Sequence, residues 1–140
     1  MNAMRQNESN QNIDFQLGLL HFVHLLVMVD GSLDQRETIA IHTIKIEEDI
    51  PDWLYTQFHE SLLKKTDRQI YVEGVDMLNR CTEEEKLCAF VHLHRLSEAD
   101  NNIDVREVRF LLYSLKATKI AYEDVELSTR MSKAASLRWL

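Results

Sequence analysis

Apolar positions along this chain recur at helical rather than strand spacing. Residues 14–29 are apolar on nearly every side, which predicts a helix surrounded by others, with Asp14 as its cap. A second helix is expected from Asp34. Its Ile39, Ile41, Ile44 and Ile46 are β-branched enough to suggest a strand, but the start signal and a match to a later helix favour a helix. Pro51 suits the first turn of a third helix carrying Leu54, Phe58 and Leu62, and Tyr71, Val75 and Leu78 place a fourth before Cys81. Thr82 and Glu85 form a capping box for a fifth, with Leu87, Phe90, Val91 and His94 on one side. Asp104 opens a sixth with Val108, Leu111, Leu112 and Leu115 as its buried positions. Residues 122–140 supply one more, with Val125, Leu127, Met131, Ala135 and Trp139 as its apolar positions. The expectation is an all-α compact bundle of six or seven helices, its core containing Leu20, Val23, Leu26, Ile44, Phe58, Phe90, Val91 and Leu111.

One stretch occurs twice. "DGSLDQRE" at 30–37 matches "DNNIDVRE" at 100–107, pairing Asp30 with Asp100, Leu33 with Ile103, Asp34 with Asp104, Arg36 with Arg106 and Glu37 with Glu107. The offset of 70 also pairs His24 with His94. A unit of helix, acidic turn and helix is therefore repeated, which predicts two pseudo-repeated hairpins packed about an approximate twofold.

Composition narrows the class further. A chain of 140 residues with 45% hydrophobic content is expected to form one domain with a substantial core, and 3 glycines with 1 proline are too few for a sandwich or barrel. The net charge of -7 argues against a nucleic-acid groove. Cys81 and Cys88 would stand roughly 10 Å apart along a helix, beyond disulfide reach, so they read as free thiols of a cytoplasmic protein. Residues 1–13, rich in Asn and Gln, read as a disordered leader. The most apolar run, 17–29, contains His21 and His24 and is too short to span a bilayer, so no transmembrane segment is expected.

The acidic turns admit two readings. In one, Asp34 with Glu37 and Asp104 with Glu107 are helix-capping pairs, and Asp30 and Asp100 lie where a helix N-terminus favours negative charge. In the other, Asp30 and Glu37, with Asn102 or a backbone carbonyl, gather round a hard cation such as Ca²⁺ or Mg²⁺. The spacing is not that of an EF-hand, since the sixth and twelfth positions from Asp100 are Val105 and Leu111.

An apolar helix ending in Asp30-Gly31, an apolar residue at Leu33 and Glu37 seven places after the Asp, then a second copy beginning Ala99-Asp100, resemble the TerB-like domain associated with bacterial tellurite resistance. The resemblance spans about residues 14–126. It implies an all-α fold, a metal-binding role that transfers to Asp30, Glu37, Asp100 and Glu107, and a setting in bacterial membrane-associated stress complexes; apart from the resemblance, Asp34, Asn102 and Asp104 are the additional ligands that the turns themselves offer. Asn101 stands where the family pattern has glycine, although Asn tolerates a left-handed backbone.

The remaining chemistry is sparse. The six histidines form no ferritin-like E-x-x-H pattern, Leu63 stands where a zinc protease following His59-Glu60 needs its second His, and there is no G-x-S-x-G or phosphate-cradling loop. They read as structural or surface groups, with His24 and His94 the pair that the repeat would bring together. The expectation is a non-enzymatic scaffold with a protein partner, either binding a divalent cation or acting without metal. In the segment 127–140, Arg130, Lys133 and Arg138 occur without an acid, so this tail is expected either to dock on the bundle or to meet a partner or a membrane surface peripherally.

Overall fold

The computed structural model describes the backbone of residues 2–29, 35–98 and 104–138, with side chains at 13–29, 35, 38–98 and 104–131. The described residues form α1 (Asn2–Val29), α2 (Gln35–Glu47), α3 (Asp52–Leu62), α4 (Asp67–Asn79), α5 (Glu83–Glu98), α6 (Val105–Thr118) and α7 (Tyr122–Arg138), without a strand among them. The all-α bundle expected from the hydrophobic pattern is what forms, and the isoleucine-rich stretch is helical. None of these helices is long and apolar enough to cross a membrane.

α1 runs through the middle of the bundle and packs on α3, α4, α5 and α6. Its side chains Phe15, Leu19, Leu20, Phe22, Val23, Leu26 and Val27 are all buried. Phe22 is fully enclosed, with the rings of Tyr71 from α4, Phe90 from α5 and Phe110 from α6 at 5.9, 6.1 and 5.9 Å. α1 and α4 approach closely because each offers a glycine. A Cβ on Gly18 would lie 2.9 Å from Leu78 Cδ2, and one on Gly74 would lie 3.0 Å from His21 Cβ and 3.4 Å from the Phe22 ring.

Several boundaries and faces differ from the sequence reading. α1 begins at Asn2, so residues 2–12 of the expected leader have helical backbone. No glycine or proline interrupts the i→i−4 ladder ahead of Asp14. Asp14 is consequently not a cap; both its oxygens accept from the Arg80 guanidinium, at 3.2 and 3.3 Å. Pro51 is the residue before α3 rather than in its first turn, extended at φ -69 and ψ 149. Val91 and Leu111 are half-buried, while the other six expected core residues are buried.

The sharpest differences lie on α6 and α7. Val108 and Leu112 of α6 are exposed, and the buried positions are Glu107, Ser114, Leu115 and Thr118. Ser114 and Thr118 can face inward because their hydroxyls donate to Phe110 O and Ser114 O of their own helix, each at 2.8 Å. α7 does the same: Thr129 is buried beneath Val125, donating to its carbonyl at 2.8 Å, whereas Leu127 and Met131 are exposed. Trp139 and Leu140 lie outside the described residues.

The α1–α4 contact yields a first prediction. Replacing glycine in a helix ordinarily gains up to about 1 kcal/mol of helix propensity, but Gly74→Leu must drive the two backbones apart, and overpacking of this kind costs about 1–3 kcal/mol or more. The variant is expected to unfold at lower temperature than wild type by circular dichroism. An unchanged or raised melting temperature would mean that the helices separate freely.

Candidate functional site

Two places on the bundle bring chemistry-bearing side chains together. The first is built where α2 ends. Beyond Glu47 the chain turns through Glu48 and Asp49, the latter at φ 52, a left-handed conformation that Asp tolerates. The buried Gln16 of α1 pins this turn, its amide donating to Glu48 O at 2.8 Å and Asp49 O at 3.2 Å. The Glu48 carboxylate thereby meets α5, where Cys88 and His92 share one face because they are four residues apart.

His92 Nε2 lies 2.6 Å from Glu48 Oε2, and the Cys88 thiol donates to the same oxygen at 3.4 Å. The other ring nitrogen, Nδ1, is 3.9 Å from Glu47 Oε2, which lies 3.8 Å from Arg95 Nη1. One ligand atom from each of Glu48, Cys88 and His92 falls within 4.8 Å of the others. His92 is buried and the two others half-buried.

The electrostatics follow from this contact order. The His92 hydrogen bond holds the Glu48 carboxyl below its ordinary value, overcoming the opposing effect of burial. Burial first, then the charge of Glu48, pushes the Cys88 thiol up to about 12. The thiol is therefore a protonated donor at neutral pH. Because the carboxylate stands between sulfur and imidazole, His92 is not placed to take the thiol proton as the base of a Cys–His nucleophile must.

The second place is a cavity of about 190 Å³ between α5, α6 and α7. Phe90, Val108, Leu111, Leu115, Tyr122 and Val125 form its apolar walls, and His94, Glu98, Asp104 and Glu107 gather at its polar part. Asp104 accepts from Arg106 N–H at 2.8 Å and from the Arg106 guanidinium at 2.9 and 3.2 Å. These bonds, the guanidinium first, hold its carboxyl below the usual aspartate value. His94 Nδ1 is 3.2 Å from Glu98 Oε1, close enough for an ion pair but without hydrogen-bond alignment. Along the outer face of α6, Val105, Val108, Leu112 and Tyr113 are exposed beside Arg109 and Lys116.

Of the acidic-turn residues, Asp104 and Glu107 are described, and both line this cavity. Asp104 is the N-cap of α6 as expected, but its acceptor bond goes to the second helical N–H, that of Arg106, rather than to the third. Glu107 is buried at 5% exposure. Asp30, Asp34, Asp100, Asn102 and the Glu37 side chain lie outside the described residues. His24 and His94 are not paired by any described contact: His24 meets the Phe58 ring and His94 the Tyr122 ring.

Sequence reading passed over Glu48, Cys88 and His92. Its one available signal was the C-x-x-x-H spacing on a helical face, since Glu48 stands 40 and 44 residues away and no local pattern connects it. Comparison with models of protein families, with curated proteins and with solved structures gave no match.

The Glu48–His92 bond predicts acid sensitivity. A carboxyl whose folded value is depressed contributes stability that is present above its unfolded value, here 4.5, and is lost as pH falls through the folded one. Glu48→Gln is expected to cost about 1–2 kcal/mol at pH 7, at the low end for a charged hydrogen bond because Glu48 is partly solvated. In urea titrations the gap between wild type and variant should narrow below pH 4.5. A gap independent of pH would assign the loss to packing.

Proposed function

We propose that this chain is a non-enzymatic helical interaction module of the TerB-like kind that docks an acidic amphipathic helix of a partner protein on α6. The observation that carries this reading is the outer face of α6. Val105, Val108, Leu112 and Tyr113 are 68%, 41%, 51% and 64% exposed, an apolar stripe on a helix that packs inward through its opposite side. Contiguous exposed apolar surface of this kind marks interaction sites more often than it occurs by chance.

Charge supports one kind of occupant. Although the chain carries a net -7, the exposed charged side chains of α6 are Arg106, Arg109 and Lys116, while its one acid, Glu107, is buried. Arg109 and Lys116, set among the apolar residues of the stripe, complement acidic side chains on a docked helix, while the Arg106 guanidinium is paired with Asp104. Val108 and Leu112 belong both to the stripe and to the 190 Å³ cavity, which has room for one aliphatic or aromatic anchor side chain. A bacterial stress-response or membrane-associated complex is the setting that the TerB-like resemblance suggests.

The contacts support a duplicated architecture as well. α2 begins at Gln35 and α6 at Val105, the same offset as the acidic turns. Exchanging α1 with α5, α2 with α6 and α3 with α7 carries the α1–α6 contact onto α5–α2 and the α1–α3 contact onto α5–α7. In this architecture the acidic turns serve as helix starts, as the bonds of Asp104 to Arg106 support.

Two measurements test the reading. A synthetic helical peptide with leucines along one face and glutamates elsewhere is expected to bind the wild type by calorimetry. Leu112→Asp and Val108→Asp should each weaken it at least about tenfold with little loss of stability, since both sites are exposed. A matched lysine peptide should bind far less. Equal binding of the two peptides, or binding unaffected by the substitutions, would sink the proposal, and binding to anionic vesicles that the same substitutions abolish would assign the face to a membrane instead. Separately, millimolar Ca²⁺ or Mg²⁺ should leave the melting temperature unchanged; a rise that Asp30→Asn with Glu37→Gln removes would give the turns to a hard cation.

A further inference from the structure

We infer that Glu48, Cys88 and His92 form a binding site for a borderline transition-metal ion such as Zn²⁺, with a thiolate, an imidazole nitrogen and a carboxylate oxygen as its protein ligands. The inference does not depend on the docking role of α6, which lies on other side chains.

The donor set selects the class of ion. Sulfur and nitrogen donors with one oxygen suit Zn²⁺ or Co²⁺, whereas Ca²⁺ and Mg²⁺ take oxygen ligands almost alone. Once the thiol is ionised, one thiolate, one carboxylate and one neutral imidazole balance a divalent charge. Three protein ligands leave a fourth position of a tetrahedral ion for water, and Glu48, whose side chain is 22% exposed, borders solvent.

The geometry is close to what such an ion needs. Bonds of about 2.0 Å to nitrogen and oxygen and about 2.3 Å to sulfur place tetrahedral ligand atoms roughly 3.3–3.7 Å apart. Cys88 Sγ and Glu48 Oε2 are already 3.4 Å apart. His92 Nε2 and Glu48 Oε2, drawn to 2.6 Å by their hydrogen bond, must part by under about 1 Å. Neither backbone has to move far, because Cys88 and His92 lie on one turn of α5 and Gln16 holds the Glu48 turn in place.

The surroundings also account for the protons. On binding, the metal–sulfur bond replaces the Cys88 S–H bond and that proton leaves to solvent. The proton on His92 Nε2, shared with Glu48, leaves that nitrogen and is taken up at Nδ1 by exchange with solvent, so the imidazole stays neutral and carries its N–H on the nitrogen facing Glu47 Oε2 at 3.9 Å. Glu47 would need to close by about 1 Å to accept this N–H as the outer carboxylate that orients a metal-bound histidine, and Arg95 Nη1 lies 3.8 Å from the same Oε2. Since the Cys88 S–H proton must leave for the metal–sulfur bond to form, affinity should rise with pH.

The test adds Co²⁺ to the metal-free 140-residue chain under reducing conditions and follows its absorption. The expected result is one equivalent bound, with a thiolate-to-cobalt charge-transfer band and tetrahedral ligand-field bands that Zn²⁺ abolishes by displacement. Cys81→Ser should retain the charge-transfer band and Cys88→Ser should lose it, while His92→Gln should weaken binding at least about tenfold. Circular dichroism confirms that each variant is folded; should Cys88→Ser not fold, His92→Gln and Glu48→Gln are read in its place, with the same weakening required. A wild type that shows no thiolate band at excess Co²⁺, a band that survives in folded Cys88→Ser, or one as strong in His92→Gln as in wild type overturns the inference and leaves the cluster as a hydrogen-bonded network.

Discussion

The bundle depends on how closely α1 and α4 approach. Without side chains at Gly18 and Gly74, Leu78 settles against α1 while His21 and Phe22 lie directly on the α4 backbone. Phe22 is then held where the rings of Tyr71, Phe90 and Phe110 can close round it from three other helices. A bulkier residue at either glycine would move Phe22 and, with it, the point about which α5 and α6 are arranged. Helix propensity alone would have disfavoured glycine at both positions, so the gain is in tertiary packing rather than in the isolated helices.

α1 also reaches beyond the core. Gln16, two residues before Gly18 on the same helix, is almost wholly buried and donates to two carbonyls of the turn after α2. This satisfies backbone groups that would otherwise be costly to enclose, and it fixes the direction of Glu48. The polar cluster on α5 therefore takes its geometry from the hydrophobic centre.

The helices were largely readable from the sequence because their apolar spacing is dense and turn residues are few. α2 was the demanding case, and its helix-start signal outweighed the β-branched isoleucines. Where the reading failed, the cause was local satisfaction of polar groups. Ser114, Thr118 and Thr129 are buried because their hydroxyls bond to carbonyls one turn back, which a pattern of apolar letters does not register. α6 accordingly presents Val108 and Leu112 outward, and α7 presents Leu127 and Met131. The candidate cluster was harder still. Cys88 and His92 are visible as a helical pair, but Glu48 joins them only through the packing of α2 on α5.

Between α6 and α7 the backbone passes through Lys119 at φ 61 and ψ 41, the left-handed region where a side chain is normally disfavoured. Its N–H reaches Leu115 O and Lys116 O, and Ile120 N–H reaches Leu115 O at 3.0 Å, so three short-range bonds lock the reversal. α7 therefore leaves α6 at an angle set by main-chain geometry, and that angle determines how far Tyr122 and Val125 stand from Val108 and Leu111 across the cavity. The spacing of the walls is in this sense a property of the backbone: exchanging one wall residue alters the cavity locally, whereas a change at the reversal moves a whole wall.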